Sequence, residues 1–474
     1  MSDERTYDVV VVGAGPTGEN VADRAVKGGL SAVIVEAGLV GGDCSYWACM
    51  PSKALLRPTQ ALRAAQRVAG AAPAASGHID TAAVLRRRDG FAAHWDDSAQ
   101  VGWLREAGID LVRGHGRLAG ARRVEVGTAT GTVVLLARRA VVLATGSLPS
   151  LPPVPGLAGA TPWTTRESTS AQATPERLVV IGGGAAGCEL AQAWAGLGSR
   201  VTLLEAAGRL LPTHEPVAGE MLAAAMAAQG VDARTGAEVS AASRASDGGV
   251  VVQLADGAVV EGDELLVAAG RRPRSEDLGL SSIGLRPGGW LEVDDTMAVR
   301  AVPGDWLYAA GDLNGRALLT HQGKYQARAC GDAIVARAGG TLVTGPWSRH
   351  SATADHVAVP QVVFTDPEVA SVGLTAAEAG ARGVPVEVVD HPLGQVAGAA
   401  LRADGYEGHA RLVVDEARQV VVGATFVGQD VAELLHAATV AIVAEVPLAR
   451  LWHAVPSYPT VSEIWLRLLE GRGM

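Results

Sequence analysis

The feature that most constrains the fold is a glycine pattern near the N-terminus. An apolar run ends at G-x-G-x-x-G, and Glu36 closes the next apolar run, 23 residues after the first glycine. The glycines of the pattern are Gly13, Gly15 and Gly18. They allow a tight turn and let a pyrophosphate approach a helix N-terminus, while the acid accepts from ribose hydroxyls. Three glycines could also mark a plain turn, but strand, helix and acid in register favour a dinucleotide-binding βαβ unit.

The same pattern occurs a second time, which predicts a second dinucleotide site. Its residues are Gly182, Gly184 and Gly187, followed by Glu205, again 23 residues after the first glycine. A carboxylate at Glu205 accepts from a ribose 2′-hydroxyl and repels a 2′-phosphate, so NADH is favoured over NADPH. Arg200 and Arg209 flank this acid and keep NADPH as the alternative.

Two of the four cysteines, Cys44 and Cys49, lie in the stretch GGDCSYWACMPSK, directly after the first pattern. On a regular helix, a step of five residues rises about 7.5 Å and turns about 140°, which is too far for an easy disulfide. A bend at the Cys44 end would bring the two together. We interpret the pair as a catalytic disulfide; the alternative is a pair of inert buried cysteines. Cys188 and Cys330 are expected to be small core residues.

Composition limits the function classes. A chain of 474 residues is too long for one core, and its formal charge of −10 argues against nucleic acid or an anionic membrane as a partner. The N-terminus shows no secretory pattern and the apolar runs are too short to span a bilayer. Four cysteines do not form a structural disulfide framework in a chain of this length, so we expect a cytoplasmic protein with one redox-active pair and no metal site.

The order of elements predicts an α/β fold with two Rossmann-like dinucleotide-binding domains and a C-terminal α+β domain. A buried strand that ends at Thr145 and Gly146, before a proline-rich crossover, is a predicted domain boundary. A later strand delivers Asp312 at its C-terminal end, where ligands bind in such sheets. The last third mixes strands with two late helices. The predicted segments are 1–152, 153–273, 274–345 and 346–474.

Taken together, the chain resembles the flavoprotein disulfide reductases, the group that includes lipoamide dehydrogenase, mycothione reductase and mercuric reductase. The first glycine pattern resembles the family's FAD site, GGDCSYWACMPSK its redox disulfide, and the second glycine pattern its NAD(P)H site. FTDPEVASVGLT resembles the opening of its dimerisation domain. These motifs occur in the family's order over nearly the whole chain.

The resemblance implies a role for each matching residue. Cys49 would be the charge-transfer thiol against the flavin, and Cys44 the interchange thiol that attacks the substrate. Lys53 would face the flavin with Glu189 as its counter-charge. Asp312 would bond a ribityl hydroxyl of FAD. The implied cofactors are FAD and NAD(H), in a homodimer whose active site is completed across the interface.

The C-terminus departs from the family pattern. Relatives usually carry His-Pro-Thr and a glutamate that orients the histidine, whereas this chain reads SYPTVSE and places Tyr458 at the histidine position. A tyrosine, with a pKa near 10, is a poor base at neutral pH but could donate a proton. Glu463 would then be the glutamate; alternatively, Thr460 and Glu463 form a helix capping box.

The sequence therefore predicts an oxidoreductase that passes electrons from NADH through a flavin to the Cys44–Cys49 disulfide. The final acceptor would be a small disulfide or another small electrophile. One alternative is a metal-ion or quinone reductase, or a specialised biosynthetic dehydrogenase. Another is a redox-sensing flavoprotein with little turnover. The acceptor itself is not encoded in any motif of the chain.

Overall fold

The computed structural model describes residues 3–474. The strands are β1 (Asp3–Val12), β2 (Ala32–Glu36), β3 (Asp110–Arg113), β4 (His115–Leu118), β5 (Arg123–Thr128), β6 (Gly131–Leu143), β7 (Ser147–Pro149), β8 (Arg177–Ile181), β9 (Arg200–Glu205), β10 (Asp232–Thr235), β11 (Val239–Arg244), β12 (Val250–Leu254), β13 (Val259–Gly262), β14 (Glu264–Val267), β15 (Arg271–Pro273), β16 (Leu307–Ala309), β17 (Gln361–Val363), β18 (Glu368–Gly373), β19 (Val386–Pro392), β20 (His409–Asp415) and β21 (Val420–Gly428).

The helices are α1 (Pro16–Lys27), α2 (Gly42–Tyr46), α3 (Cys49–Gln66), α4 (Thr81–Phe91), α5 (Ser98–Glu106), α6 (Thr165–Ser170), α7 (Ala185–Gly196), α8 (Pro216–Ala228), α9 (Thr320–Ala338), α10 (Ala376–Ala381), α11 (Ala397–Ala400), α12 (Leu435–Val443), α13 (Leu448–Leu451) and α14 (Ile464–Gly471). The chain divides into two compact units. The first comprises the chain up to Met50, Asp89–Pro149 and Arg271–His356, and the second comprises Pro51–Arg88, Ser150–Gly270 and Val357–Met474.

The first unit is built on a sheet with strand order β3-β2-β1-β6-β5-β4, and β16 pairs with the C-terminal end of β6. β1 is parallel to both β2 and β6, and its residues from Val9 to Val12 are at most 5% exposed. An uninterrupted valine run suits such a strand because parallel sheets are covered on both faces. The carboxyl end of β1 therefore leads directly into the first glycine turn.

Helices α1 and α9 pack closely in this unit because glycines line the contact. A Cβ on Gly331 would lie 2.5 Å from Cβ of Arg24, and one on Gly323 would lie 2.4 Å from Oγ1 of Thr17. These distances are far below a normal contact, so a side chain at either glycine would push the helices apart. The packing fixes the start of α9 beside the start of α1.

The second unit contains a parallel sheet, β10-β9-β8-β14, and an antiparallel meander, β11-β12-β13. It also contains the antiparallel sheet β17-β18-β21-β20-β19, in which every residue of β21 is buried. Helix α7 follows β8 and is buried from Gly187 to Trp194. A helix buried in this way needs neighbours on every face, and β8, β9 and β17 of the same unit pack against it.

The predicted α/β class, with two dinucleotide-binding folds and a C-terminal α+β part, is confirmed. The prediction of two late helices is wrong, because α10 to α14 all follow residue 375. Several of these are only four to eight residues long, too short for helical periodicity to register. Among residues 3–474, no helix combines the length and apolar character needed to cross a membrane. The four-segment division remains a prediction.

Candidate active site

The first glycine turn has the geometry of a phosphate cradle. Gly13 has a φ of +106°, and a Cβ there would lie 2.4 Å from the carbonyl oxygen of Ala144. A Cβ on Gly18 would lie 1.9 Å from the carbonyl oxygen of Gly13, so α1 sits directly on the turn. Gly15 caps α1 without a side-chain hydrogen bond, and a Cβ there would meet nothing within 4 Å. The turn thus leaves open space at a helix N-terminus, where a phosphate binds.

Two backbone N–H groups hold the Glu36 carboxylate beside this turn. Its Oε2 accepts from the N–H of Ala14 at 2.7 Å, and Oε1 accepts from the N–H of Gly38 at 2.7 Å. Each carboxylate oxygen still has a lone pair for a further donor. The acid is therefore held in one orientation at the end of β2, where ribose hydroxyls could reach it.

The second glycine turn repeats these features in the second unit. Gly182 has a φ of +110°, and a Cβ on Gly187 would lie 1.8 Å from the Gly182 carbonyl oxygen. Gly184 caps α7 with open space at its Cβ position. Oε2 of Glu205 accepts from the N–H of Gly183 at 2.6 Å, and Oε1 accepts from that of Ala207 at 2.7 Å. The two turns are thus built alike.

The two arginines beside Glu205 are bound elsewhere. Arg200 pairs with Glu176 at 2.5 Å. The guanidinium of Arg209 donates to the carbonyl oxygens of His214 at 2.8 Å and Pro212 at 2.7 Å. Both cations are thus occupied by groups other than Glu205.

A break between two helices brings the cysteines together. Gly41 and Gly42 have φ values of +114° and +63°, which favour glycine, and they start the short helix α2. This helix ends at Tyr46, and α3 begins at Cys49. Cys44 and Cys49 lie close enough for their side chains to interact, and this interaction is the largest influence on the pKa of Cys44, which it raises. The sequence predicts a bend at the Cys44 end; the structure has the break after Tyr46 and before Cys49, so it lies between the two cysteines.

Cys49 also contacts the first residue of another helix. Its Sγ lies 3.3 Å from Oγ1 of Thr320, where α9 begins. Because Cys49 itself starts α3, its sulfur is near the N-terminal ends of two helices, which favour a negative charge. The interaction with Cys49 and burial both raise the pKa of Cys44, while Thr320 and the charge of Lys324 lower it. A proton is therefore held more firmly on Cys44 than on an ordinary cysteine.

Asp312 lies in a 3-10 turn, Gly311–Asn314, after β16. Its Oδ2 accepts from the hydroxyl of Ser147 at 2.5 Å, and Nε of Arg271 lies 3.7 Å from the same oxygen. Burial raises the pKa of Asp312, while the Ser147 bond and Arg271 oppose that rise. Thr145 donates to the carbonyl oxygen of Arg274 at 3.0 Å, and Gly146 has a φ of +73°. These residues line the carboxyl ends of β6 and β16.

Lys53 and Glu189 form an ion pair in the second unit. Nζ of Lys53 lies 2.5 Å from Oε2 of Glu189, and the Glu189 side chain is only 6% exposed. The other oxygen of Glu189 accepts from the N–H of Phe364 at 2.9 Å, and Nζ of Lys53 lies 4.9 Å from the centroid of the Phe364 ring. Lys53 follows Cys49 by one turn of α3. The pairing expected from the sequence is thus present.

The C-terminal residues differ from the capping-box alternative. The hydroxyl of Thr460 donates to the carbonyl oxygen of Ser457 at 2.6 Å and makes no side-chain cap bond. Glu463 is 7% exposed, and its Oε2 has no hydrogen-bond partner among the residues described. The capping-box interpretation is therefore wrong, because the threonine turns to a preceding carbonyl instead. Tyr458 is 77% exposed, and His453 is exposed as well.

Comparison with known proteins identifies the family. Residues 7–330 match the model of the pyridine nucleotide-disulphide oxidoreductases, and residues 359–468 match that of their dimerisation domain. The chain belongs to this family. It is an oxidoreductase of the flavoprotein disulfide type, which acts with a pyridine nucleotide, as the sequence predicts.

Individual relatives span nearly the whole chain. A dihydrolipoyl dehydrogenase of Thermus scotoductus is 34% identical over 467 residues, which cover 97% of this chain and 96% of the relative. A mercuric reductase of Staphylococcus aureus is 29% identical, with 96% of this chain and 81% of the relative covered. The structure of LpdA from Mycobacterium tuberculosis has a TM-score of 0.83 at 26% identity, with both chains fully covered. The structure of a Cu(II) complex of the flavoprotein disulfide reductase RclA from Escherichia coli has a TM-score of 0.84 at 24% identity. The match covers 98% of this chain and 99% of the RclA chain, and it supports the fold.

Family members depend on FAD and a pyridine nucleotide, and the residues here fit FAD at the first glycine turn. The open position at Gly15 leaves room for a pyrophosphate, and a Cβ on Gly42 would lie 2.8 Å from Cα of Gly15, so the segment before Cys44 borders the same cradle. Glu36 is held beside this cradle by the N–H groups of Ala14 and Gly38. The second glycine turn offers the equivalent cradle for a nicotinamide dinucleotide.

Sequence reasoning missed three residues of this site. Thr320, Ser147 and Arg271 contact predicted site residues, but each lies outside the glycine and cysteine patterns. Ser147 follows Gly146 directly, so its position after a buried strand was the available signal. Cys188 and Cys330 are buried as predicted, and burial raises the pKa of both. Tyr46 is also a packing residue, because it is 1% exposed and its hydroxyl donates to the carbonyl oxygen of Val40.

Proposed function

We propose that this chain is an NADH-dependent flavoenzyme that reduces a low-molecular-weight disulfide, or another small electrophile, through a Cys44–Cys49 disulfide. The observation that carries the proposal is the break between α2, which contains Cys44, and α3, which begins at Cys49; it allows the two side chains to approach each other. Thr320 adds a hydroxyl 3.3 Å from the Cys49 sulfur. A pair of inert core cysteines would not need a helix break, left-handed glycines and two helix N-termini.

The environments of the two sulfurs favour different roles. Cys49, at the N-terminal ends of α3 and α9, is suited to hold a thiolate. Cys44 keeps its proton more firmly, since its pKa is raised by its interaction with Cys49 and by burial. FAD, when bound, would relay two electrons from the nicotinamide to this pair. Storage of negative charge would then fall to Cys49. Cys44, the interchange thiol in the family resemblance, would have to lose its proton before it attacks the substrate.

The preference for NADH rests on Glu205 and its surroundings. Both carboxylate oxygens are fixed by backbone N–H groups, so the charge cannot swing away from a 2′-phosphate. Arg200 and Arg209 are engaged with Glu176 and with backbone carbonyls. A 2′-phosphate would therefore meet a fixed anion, whereas a 2′-hydroxyl would meet an acceptor.

Lys53 and Glu189 are proposed to border the nicotinamide and flavin rings. A fixed ion pair holds the ammonium in place, and the half-buried position keeps its charge effective. Thr145, Gly146 and Asp312 are proposed to contact the ribityl chain. These roles follow from the family resemblance together with the contacts described above.

Protonation of the leaving thiol is assigned to Tyr458, with the site completed by a second copy of the chain. A dimerisation domain is present, and Tyr458 is 77% exposed in the single chain, so a neighbouring protomer could receive it. The buried, unpartnered oxygen of Glu463 could accept a hydrogen bond in the same region. The four-segment division and a cytoplasmic location, where NADH is available, are part of this proposal.

The experiment is an acceptor panel with NADH as the electron donor. Lipoamide, glutathione, mycothiol and coenzyme A disulfides, Hg(II), Cu(II) and quinones are compared for wild type, Cys44→Ser and Cys330→Ala. The proposal expects turnover with one disulfide that Cys44→Ser abolishes and that Cys330→Ala, a change in a fully buried cysteine, retains. Full turnover of every acceptor by Cys44→Ser would refute it.

A further inference from the structure

Two glutamines and an aspartate of the first unit form a buried, hydrogen-bonded chain. The Asp355 side chain has no exposed surface, Gln326 is fully buried and Gln322 is 5% exposed. Nε2 of Gln322 donates to Oδ1 of Asp355 at 2.8 Å, and Nε2 of Gln326 donates to Oδ2 at 2.9 Å. A buried polar chain whose members all have partners fixes those members in one arrangement.

Gln326 extends this chain to the turn that holds Asp312. Its Oε1 accepts from the backbone N–H of Gly311 at 2.8 Å and from Nδ2 of Asn314 at 2.7 Å, at the first and last residues of the turn. A backbone N–H can only donate, so Oε1 must face the turn and the NH2 group must face the accepting oxygen of Asp355. Asp355 therefore orients the amide of Gln326, and that amide fixes both ends of the turn.

Helix α9 brings Gln326 to the turn and also reaches the cysteine pair. Gln326 follows Gly323 by three residues, so the two lie on one face of the helix. A Cβ on Gly323 would lie 3.4 Å from Cα of Gly311, which shows how closely this face approaches the turn. At the start of the same helix, Oγ1 of Thr320 lies 3.3 Å from Sγ of Cys49. One helix thus contacts a redox cysteine at its first residue and the turn near its middle.

A cation stands beside the carboxylate that orients Gln326. Nη1 of Arg316 lies 3.7 Å from Oδ2 of Asp355 and 3.0 Å from Oδ1 of Asp295, and the Arg316 side chain is only 14% exposed. A buried carboxylate needs such a counter-charge in addition to its hydrogen bonds. The position of Asp355 is therefore fixed by charge as well as by the two amides.

We propose that Gln326, oriented by Asp355, is a positioning residue for flavin binding, because it holds the turn so that Asp312 faces the ribityl chain. Asp312 is held from its other side by the hydroxyl of Ser147, at 2.5 Å. Without the Gln326 amide, the turn would keep that bond but lose both of its bonds to α9, so the carboxylate would no longer be fixed relative to this helix. The inference rests on the proposed function, which assigns Asp312 to the ribityl chain.

The test is a double-mutant cycle on the rate at which the diluted holoenzyme releases FAD, followed by the rise in flavin fluorescence. Gln326→Leu is expected to speed release by about 10-fold, because two buried donors of the turn lose their acceptor. In an Asp312→Ala background, the same change is expected to add less than about 2-fold, because Gln326 acts through Asp312. Gln192→Leu, the same change at a glutamine that is 2% exposed in the second unit, is the control and should leave the rate unchanged.

A second pair of variants tests the contact between Gln326 and Asp355. Gln326→Glu sets two carboxylates against each other and is expected to speed FAD release by about 10-fold. Adding Asp355→Asn is expected to return the rate to within about 3-fold of wild type, because an amide at position 355 can donate to a carboxylate at position 326. That carboxylate still accepts from the two donors of the turn.

No effect of Gln326→Leu, or an effect of about 10-fold in both backgrounds, would overturn the inference, because the residue would then not act through Asp312. If Gln326→Leu does not fold, failure of Asp355→Asn to rescue Gln326→Glu would overturn it equally. Unchanged FAD release from Asp312→Ala alone would instead contradict the ribityl contact in the proposed function. The two failures therefore give different results.

Discussion

Replacing Lys53 by methionine removes one charge from the best-defined ion pair of the site. Nζ of Lys53 lies 2.5 Å from Oε2 of Glu189, whose side chain is 6% exposed. The other oxygen of Glu189 keeps its bond from the N–H of Phe364. Lys53→Met therefore leaves a buried carboxylate with one backbone donor and no counter-charge, while most of the lysine stem is retained.

The expected loss of unfolding free energy follows from the burial of the Lys53–Glu189 pair. Breaking a fully buried pair costs ~3–5 kcal/mol, because the remaining charge is left without compensation. Lys53 is 35% exposed, so water screens part of the interaction and reduces the expected loss to ~2 kcal/mol. Loss of the cation above the Phe364 ring adds ~0.5 kcal/mol. We also expect NADH to reduce the flavin at least ~10-fold more slowly, since ~1.4 kcal/mol corresponds to each factor of ten.

Denaturant unfolding of the holoenzyme, followed by circular dichroism, measures the stability change, and stopped-flow absorbance measures flavin reduction. The control is Lys27→Met, because Lys27 is 68% exposed and its pair with Asp23 is expected to contribute only ~0.5 kcal/mol. Equal losses of stability in the two variants, with equal rates of flavin reduction, would refute the assignment of Lys53 and Glu189 as a buried functional pair.

Two further predictions concern carboxylates. Glu205→Ser should lower the ratio of kcat/KM for NADH to kcat/KM for NADPH by at least ~10-fold, because a fixed anion facing the 2′-position is removed. Arg200→Ala, the control, should leave this ratio unchanged. An unaltered ratio in Glu205→Ser would argue against this coenzyme site. For Glu19, burial raises the folded-state pKa to about 7, so its stability contribution is complete below the unfolded-state pKa near 4.3 and is lost as pH rises through about 7. The unfolding free energy of the wild type should therefore fall by ~1–2 kcal/mol between these pH values, after allowance for the partial exposure of Glu19. Glu19→Gln should flatten this dependence of the unfolding free energy on pH. Parallel pH profiles for the wild type and the variant would contradict a raised pKa of Glu19.

The βαβ units were predictable because the glycine spacing, the apolar run of the strand and the acidic residue after the second strand all lie within a short stretch of sequence. Gly13 and Gly182 occupy left-handed turns, where a side chain would meet the carbonyl oxygens of Ala144 and Ala268. These contacts join residues far apart in sequence, but each turn also requires the glycine spacing G-x-G-x-x-G, which is visible in the sequence. The cysteine pair was predictable for the same reason, since both members lie within one short stretch.

The rest of the site depends on contacts between segments distant in sequence. Thr320 reaches Cys49 across 271 residues, and Ser147 reaches Asp312 across 165. No spacing rule connects such pairs. The capping-box alternative failed because a local pattern, Thr460 to Glu463, was outcompeted by a bond to the carbonyl oxygen of Ser457. Short helices such as α11 and α13 carry too few residues to show a period.

The most direct test of the central claim is anaerobic titration of the holoenzyme with one equivalent of NADH per protomer. The account predicts long-wavelength charge-transfer absorbance from a Cys49 thiolate beside the flavin, with two thiols per protomer becoming accessible to alkylation. Cys49→Ser should lose the absorbance and Cys330→Ala should retain it. Bleaching of the flavin with no absorbance at long wavelength and no new thiols would contradict the account, because electrons would then bypass the Cys44–Cys49 pair.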